Sequence, residues 1–132
     1  MIVENFKIKT KNNRHYYNIL IFDTTRNMRK HGRKFEEDYK LTEKFTRKFK
    51  CTFLGIYRRD SDIGYLLFSR DSMSYCDIAH EITHASFFYD EHVNKRTSMN
   101  YKLMKYEERF AVINDQLTES FYKQLKTSPL IT

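Results

Sequence analysis

Two histidines and a glutamate in the segment His80-Glu81-Ile82-Thr83-His84 are the residues of this chain best suited to chemistry. On an α-helix, residues four apart lie on one face, so His80 and His84 can present two imidazoles to one metal ion. Glu81 lies about 100° further round the helix, where its carboxylate can reach a water molecule on the metal without binding the metal itself. The spacing therefore predicts a metal site with its own general base.

The flanking residues favour a helix at this position. Ser74-Tyr75-Cys76-Asp77 has the S-x-x-D form of a capping box, which predicts that a helix starts just before the motif. A helical wheel places apolar residues on both sides, and a helix of that kind is usually buried. Buried histidines need partners, and a metal ion suits this spacing. The alternative is a core helix whose histidines hydrogen-bond to neighbouring groups.

Length and charge bound the organisation of the chain. A chain of 132 residues with 40% hydrophobic and 16% aromatic residues predicts one folded domain with a single core. Residues 1–75 contain 17 Lys/Arg and 9 Asp/Glu, a net charge of +8, whereas residues 76–132 contain 7 and 8, a net of −1. The domain over 1–132 is thus expected to have a basic half, 1–75, and a metal-binding half, 76–132.

Hydrophobic periodicity predicts the elements that position the motif. Strands are expected over 3–9, 16–22, 51–57 and 64–69, the last two as a hairpin. A basic amphipathic helix is expected over 26–50, and a second helix from about 101 or 105 to 125, after a loop over 90–101. The predicted class is α+β, with a three- to four-stranded, mainly antiparallel sheet packed on these two helices and on the motif helix.

The order of these elements resembles the zincin metallopeptidases, in the gluzincin arrangement of a strand, an H-E-x-x-H helix, a loop and a second helix that supplies a glutamate. In the metalloaminopeptidase branch that second helix carries N-E-G-F-A, and Glu107-Glu108-Arg109-Phe110-Ala111 has the matching E-x-F-A. The chain is also similar to small, largely uncharacterised zincin-like proteins of phages and mobile elements. The resemblance covers roughly residues 64–122 and implies a minimal zincin domain.

This resemblance implies a zinc metallopeptidase with one Zn²⁺ held by His80, His84 and Glu108. Glu81 would take a proton from the zinc-bound water as it attacks a peptide carbonyl, and would then deliver the proton to the leaving nitrogen. Glu107 is the rival third ligand.

Two further carboxylates have expected roles. Asp115, two helical turns beyond Glu108, is expected to hydrogen-bond a ligand histidine. A metzincin-like pattern would use Asp90 as a ligand instead, but Phe87 stands where that pattern needs a glycine for its turn.

A peptide or protein substrate needs a surface beside the site. If the strand over 64–69 is a sheet edge, its main chain can hold an extended peptide by hydrogen bonds. The residues expected to do so are Tyr65, Leu66, Leu67 and Phe68.

The basic helix supports a different kind of function. The chain would then be a non-catalytic binding protein on a zincin scaffold, such as a phage-encoded inhibitor or a nucleic-acid-associated factor. An acidic partner or nucleic acid would contact the residues expected to bind anions, which are Arg29, Arg33, Lys40 and Lys44.

Localisation is also an expectation at this level. Because no signal peptide or long apolar run is seen, the expected location is the cytoplasm, or the host cytoplasm if the protein is phage-encoded, without a membrane partner.

Overall fold

Four strands and three α-helices make up the described part of the computed structural model, which covers residues 1–11, 14–38, 50–56, 61–93 and 103–131. Side chains are described throughout these ranges except at 36–38 and 103–107. The elements are β1 (Ile2–Lys9), β2 (Tyr16–Phe22), α1 (Thr25–Asp38), β3 (Thr52–Gly55), β4 (Asp62–Ser69), α2 (Tyr75–Phe88), a π-helical turn (Tyr89–Val93) and α3 (Leu103–Gln124). The expected α+β class is confirmed. The part of the basic helix predicted beyond 38 lies outside the described residues.

The sheet is open and mixed, with the strand order β1-β2-β4-β3. β1 runs antiparallel to β2, β3 runs antiparallel to β4, and β2 and β4 are parallel neighbours. The predicted pairing of the strands that became β3 and β4 is therefore confirmed.

The strand over 64–69 is not a sheet edge, so the condition for its binding an extended peptide is not met. Leu66 of β4 is paired with Ile19 on one side and with Phe53 on the other, so both sides of this strand already make main-chain hydrogen bonds. Leu66, Leu67 and Phe68 are also buried. A continuous apolar run of this kind is typical of a strand covered on both faces. Beside α2, the edge strand among the described residues is β3.

Helices cover both faces of the sheet. One face packs against α2 and α3 in a core that includes Ile19, Phe68, Ile82, Leu117 and Phe121. The other face packs against α1 through Leu20, Phe22, Leu67 and Met28. Within the described ranges, no helix has the length and apolar character that a membrane span needs.

A π-helical turn replaces the start of the loop that was predicted from Asp90. The helix that carries the motif continues through Tyr89–Val93, because the segment has no glycine or proline to end it. Tyr89 and Asp90 are buried, and the Tyr89 hydroxyl lies 3.0 Å from Thr10 Oγ1 at the end of β1. The rest of the predicted loop, from residue 94, lies outside the described residues.

Gly64, near the start of β4, has a backbone conformation that other residues rarely adopt. Its φ is 153°, and a Cβ at this position would lie 2.3 Å from the carbonyl oxygen of Leu54. We expect Gly64→Ala to lower the free energy of unfolding by about 1–3 kcal/mol, measured by urea denaturation. Asn5→Ala, at an exposed position of the outer strand β1, is the control. A Gly64→Ala protein as stable as this control would contradict the expectation.

Candidate metal centre

The start of α2 is fixed by the capping box that the sequence predicts. The side chain of the N-cap residue Ser74 accepts a hydrogen bond from the backbone N–H of Asp77 at 3.1 Å, and the Asp77 carboxylate accepts one from the backbone N–H of Ser74 at 3.3 Å. Two backbone donors at the helix start are satisfied in this way. Because the start is fixed, the direction in which each later side chain of α2 points is fixed too.

The two motif histidines converge at the surface of α2. His80 Nε2 and His84 Nε2 are 3.2 Å apart. Two nitrogens bound to one tetrahedral zinc at about 2.0–2.1 Å are separated by about 3.3–3.4 Å, so the pair already has nearly the spacing that a shared metal requires. At the same distance one ring can instead donate a hydrogen bond to the other.

The histidine side of α2 faces solvent, so the predicted burial of both sides of this helix is wrong. The side chain of His80 is 67% exposed, and Phe87 on the same side is 46% exposed. Ile78, Ile82 and Ala85 on the opposite side are fully buried against the sheet. The histidine pair is therefore accessible to a metal ion from solvent.

Glu81 points away from solvent, beside the histidines. Its side chain is 7% exposed, and its Oε1 lies 3.8 Å from His80 Nε2. One ligand atom from each of His80, Glu81 and His84 lies within 4.8 Å of the other two, and this is the group among the described residues that could hold a metal ion.

The surroundings of Glu81 favour its neutral form in the metal-free protein. Burial raises the pKa of Glu81 from 4.5 to about 7; the Asp77 carboxylate adds to the rise, whereas a hydrogen bond with the Cys51 thiol opposes it. A general base works best when its pKa lies near the working pH. The environment of Glu81 is thus suited to proton transfer.

His84 is held in the form that a metal ligand needs. Burial, followed by the neighbouring His80, lowers the pKa of His84 below its ordinary value of 6.5. The imidazole is therefore neutral near pH 7, with a nitrogen lone pair free for a metal. The ring of Phe53 lies nearly parallel to that of His84, at 12° and 6.4 Å between centroids.

β3 lies along one side of α2 and brings in residues that the motif did not indicate. Phe53 of β3 packs beside His84, and Cys51, just before β3, lies near enough to Glu81 to influence its pKa. Burial, followed by the charge of Glu81, raises the pKa of the Cys51 thiol far above its ordinary value. The sequence indicates these neighbours of α2 only weakly. Cys51 and Phe53 are two residues apart, so they would lie on one face of an extended strand.

The expected third ligand, Glu108, is not brought to the histidines. It is exposed and lies nine residues from the buried Leu117, which places it on the opposite side of α3. Glu107 belongs to the same helix, but its side chain lies outside the described ones.

α2 and α3 pack antiparallel, and this register decides which acidic residue is level with the histidines. Tyr75 stacks on Tyr122 at 6.0 Å, whereas Phe87 packs on Phe110 at 4.6 Å between ring centroids. The middle of α3 therefore lies level with the histidine pair. Asp115 is in this middle part and is exposed, although it is not in the group of three.

Asp90 and the basic residues lie away from the centre. Asp90 is only 1% exposed in the π-helical turn, and the chain does not turn at Phe87 as a metzincin-like pattern requires. Arg29 is partly buried and Arg33 is exposed on α1, on the other face of the sheet from α2. Lys40 and Lys44 lie outside the described residues.

Comparison with known proteins adds no relative. No protein-family model matches this chain, and no curated protein or solved structure matches it either. The His80-Glu81-His84 group is compatible with an H-E-x-x-H metal site, and the geometry of that group carries the functional argument.

Proposed function

We propose that this chain is a zinc-dependent hydrolase and, more specifically, a metallopeptidase. The observation that supports the proposal is the convergence of His80 Nε2 and His84 Nε2 to 3.2 Å on an exposed helix face. The buried carboxylate of Glu81 lies immediately beside that pair. Two imidazoles with an adjacent carboxylate suit zinc, and the accessible side leaves room for a substrate.

Each residue of the group has a separate role in this proposal. His80 and His84 hold the metal, which when bound supplies a water of lowered pKa and polarises a carbonyl. Glu81 accepts the proton of the attacking water and later donates it to the leaving amide nitrogen. A cation at the histidines would also favour the ionised, proton-accepting form of Glu81.

A catalytic zinc usually has three protein ligands, so the site needs one more. We place Asp115 ahead of Glu108 for this role. The reason is that Asp115 lies in the part of α3 that is level with the histidines, whereas Glu108 lies about two turns away, near Phe110, which packs on Phe87. Glu107 remains the alternative from the same helix.

We propose β3, rather than β4, as the strand that binds an extended peptide substrate. Among the described strands β3 is the edge next to α2, and it carries Phe53 beside His84. An extended peptide that pairs with the main chain of β3 would pass close to the histidines.

Metal analysis of the purified protein tests the proposal. We expect about one zinc per chain after dialysis, and loss of most of it in both His80→Ala and His84→Ala, because a single imidazole is a weak site. His31→Ala is the matched control, since His31 lies on α1 and packs between Phe22 and Phe35. Wild-type protein without zinc, or zinc retained in both motif variants, would reject the proposal.

The non-catalytic alternative, with an acidic partner or nucleic acid on the basic helix, stays a prediction. One measurement distinguishes this alternative from the hydrolase: a non-catalytic protein would bind the metal but would not hydrolyse a peptide.

A further inference from the structure

A cavity lies between α1 and the start of β1, on the face of the sheet opposite to the histidines. Its volume is about 390 Å³. α1 packs on β2 and β4 in the cluster of Leu20, Phe22, Met28 and Leu67, which includes no described residue of β1, so a space remains beside the helix. Pockets for small molecules typically measure about 300–1,000 Å³, and the space therefore suits a small ligand.

One wall of the cavity is apolar. Ile2 and Phe22 are paired neighbours on β1 and β2, and both line the cavity. Phe22 is buried, and its ring packs on that of His31 at 5.1 Å between centroids. Ile2 is 39% exposed, so part of an apolar side chain is in contact with water. A ligand with an apolar body would remove this surface from water, which favours binding.

Two lysines of α1 also line the cavity. Lys30 and Lys34 are four residues apart, so they lie on one face of the helix, and both are exposed. Within the described ranges, neither lysine makes an ion pair. Two like charges at this spacing repel each other, and an anion placed between them would replace that repulsion with two charge-assisted hydrogen bonds.

Asp23, just before α1, has partners of its own. Its Oδ1 atom accepts a hydrogen bond from the side chain of Asn27 at 2.8 Å and another from the amino group of Met1 at 2.8 Å. These contacts hold the carboxylate at the start of the helix, seven residues before Lys30. The positive charge of the two lysines is therefore left for a ligand.

We propose that this cavity binds a small organic anion. Its negative group, a carboxylate or a phosphate, lies between Lys30 and Lys34, and its apolar body packs on Ile2 and Phe22. The site needs no metal and is separate from the histidines, because the sheet lies between α1 and α2. Arg29, an expected anion-binding residue, is not among the described residues that line the cavity.

Three probes with the same naphthalene ring test the recognition. Naphthoate and naphthyl phosphate carry a negative group, whereas naphthamide is neutral. In calorimetric titrations with a chelator present, we expect the tighter of the two anions to bind one site per chain, at least about 10-fold more tightly than naphthamide. That anion identifies the preferred negative group. Absence of binding by both anions, or equal affinity for naphthamide, would overturn the proposal.

Paired variants of α1 test the position of the site. Lys30→Gln combined with Lys34→Gln should raise the Kd of the tighter anion about 10-fold. Arg26→Gln combined with Arg33→Gln is the matched control, because it removes the same charge from exposed positions of α1 that do not line the cavity. Equal weakening in the two double variants would indicate general attraction to a basic helix and would overturn the proposal.

Amide NMR spectra of the wild type locate the bound anion. The signals of Ile2 and Lys30 should shift on addition of the tighter probe, whereas that of Thr83, on the other face of the sheet, should not. Shifts confined to α2 would overturn the proposal. A chain that binds the anion but no zinc would remove the hydrolase alone, since the two sites share no residue.

Discussion

Glu81→Gln is expected to keep its zinc and to lower the rate of peptide hydrolysis by at least about 100-fold. The amide has nearly the shape of the carboxylate, so His80 and His84 keep their positions on α2. It cannot accept a proton from the attacking water, however, and general acid–base catalysis by one group typically contributes about 10²–10⁴-fold. The measurement is cleavage of a degenerate fluorogenic peptide library, with zinc content determined on the same preparations.

Thr83→Ala is the control for this experiment. Thr83 is exposed on α2, and its hydroxyl donates to the Ala79 carbonyl oxygen at 2.7 Å, away from Glu81. The control should retain its zinc and its rate. If Glu81→Gln were as active as Thr83→Ala, Glu81 would not be the base, and the hydrolase proposal would lose its mechanism.

The parts of the site that could be predicted from the sequence are those fixed within one helix. The capping box at Ser74 and Asp77 is a local interaction, and the four-residue spacing of His80 and His84 determines their common face whatever the rest of the chain does. The strands were predictable for a similar reason, because alternation and apolar runs reflect local burial.

What could not be predicted depends on how separate elements meet. The strand order could not be predicted, because no local pattern in β4 specifies its neighbours. The parallel pairing of β2 with β4 follows from the crossover through α1. The position of Glu108 relative to the histidines could not be predicted, because a short E-x-F-A match carries no information on how α3 packs against α2. The packing of Phe53 beside His84 joins residues 31 apart, on a strand and a helix that meet only in the folded protein.

Glu81 should also make the metal-free protein less stable as the pH rises. The folded pKa of about 7 lies above the ordinary value of 4.5, so between these values the folded state binds more protons than the unfolded state. The stability that the protonated Glu81 side chain contributes is therefore fully present below about pH 4.5 and is lost as the pH rises through 7. A shift of this size corresponds to about 3 kcal/mol of unfolding free energy.

Glu81→Gln isolates this effect, because the amide resembles the protonated carboxyl at every pH. In the presence of a chelator, urea unfolding at pH 5 should give stabilities within about 1 kcal/mol for wild type and variant, and at pH 8 the variant should be more stable by about 3 kcal/mol. The lowered pKa of His84 acts in the opposite direction, since it favours folding as the pH rises through 6.5, but it is common to both proteins and cancels in the difference. A difference that stays constant from pH 5 to pH 8 would contradict the burial of an ionisable Glu81. Added zinc should shrink the difference at pH 8, because a cation at His80 and His84 stabilises the ionised carboxylate that the chelated protein must otherwise bury.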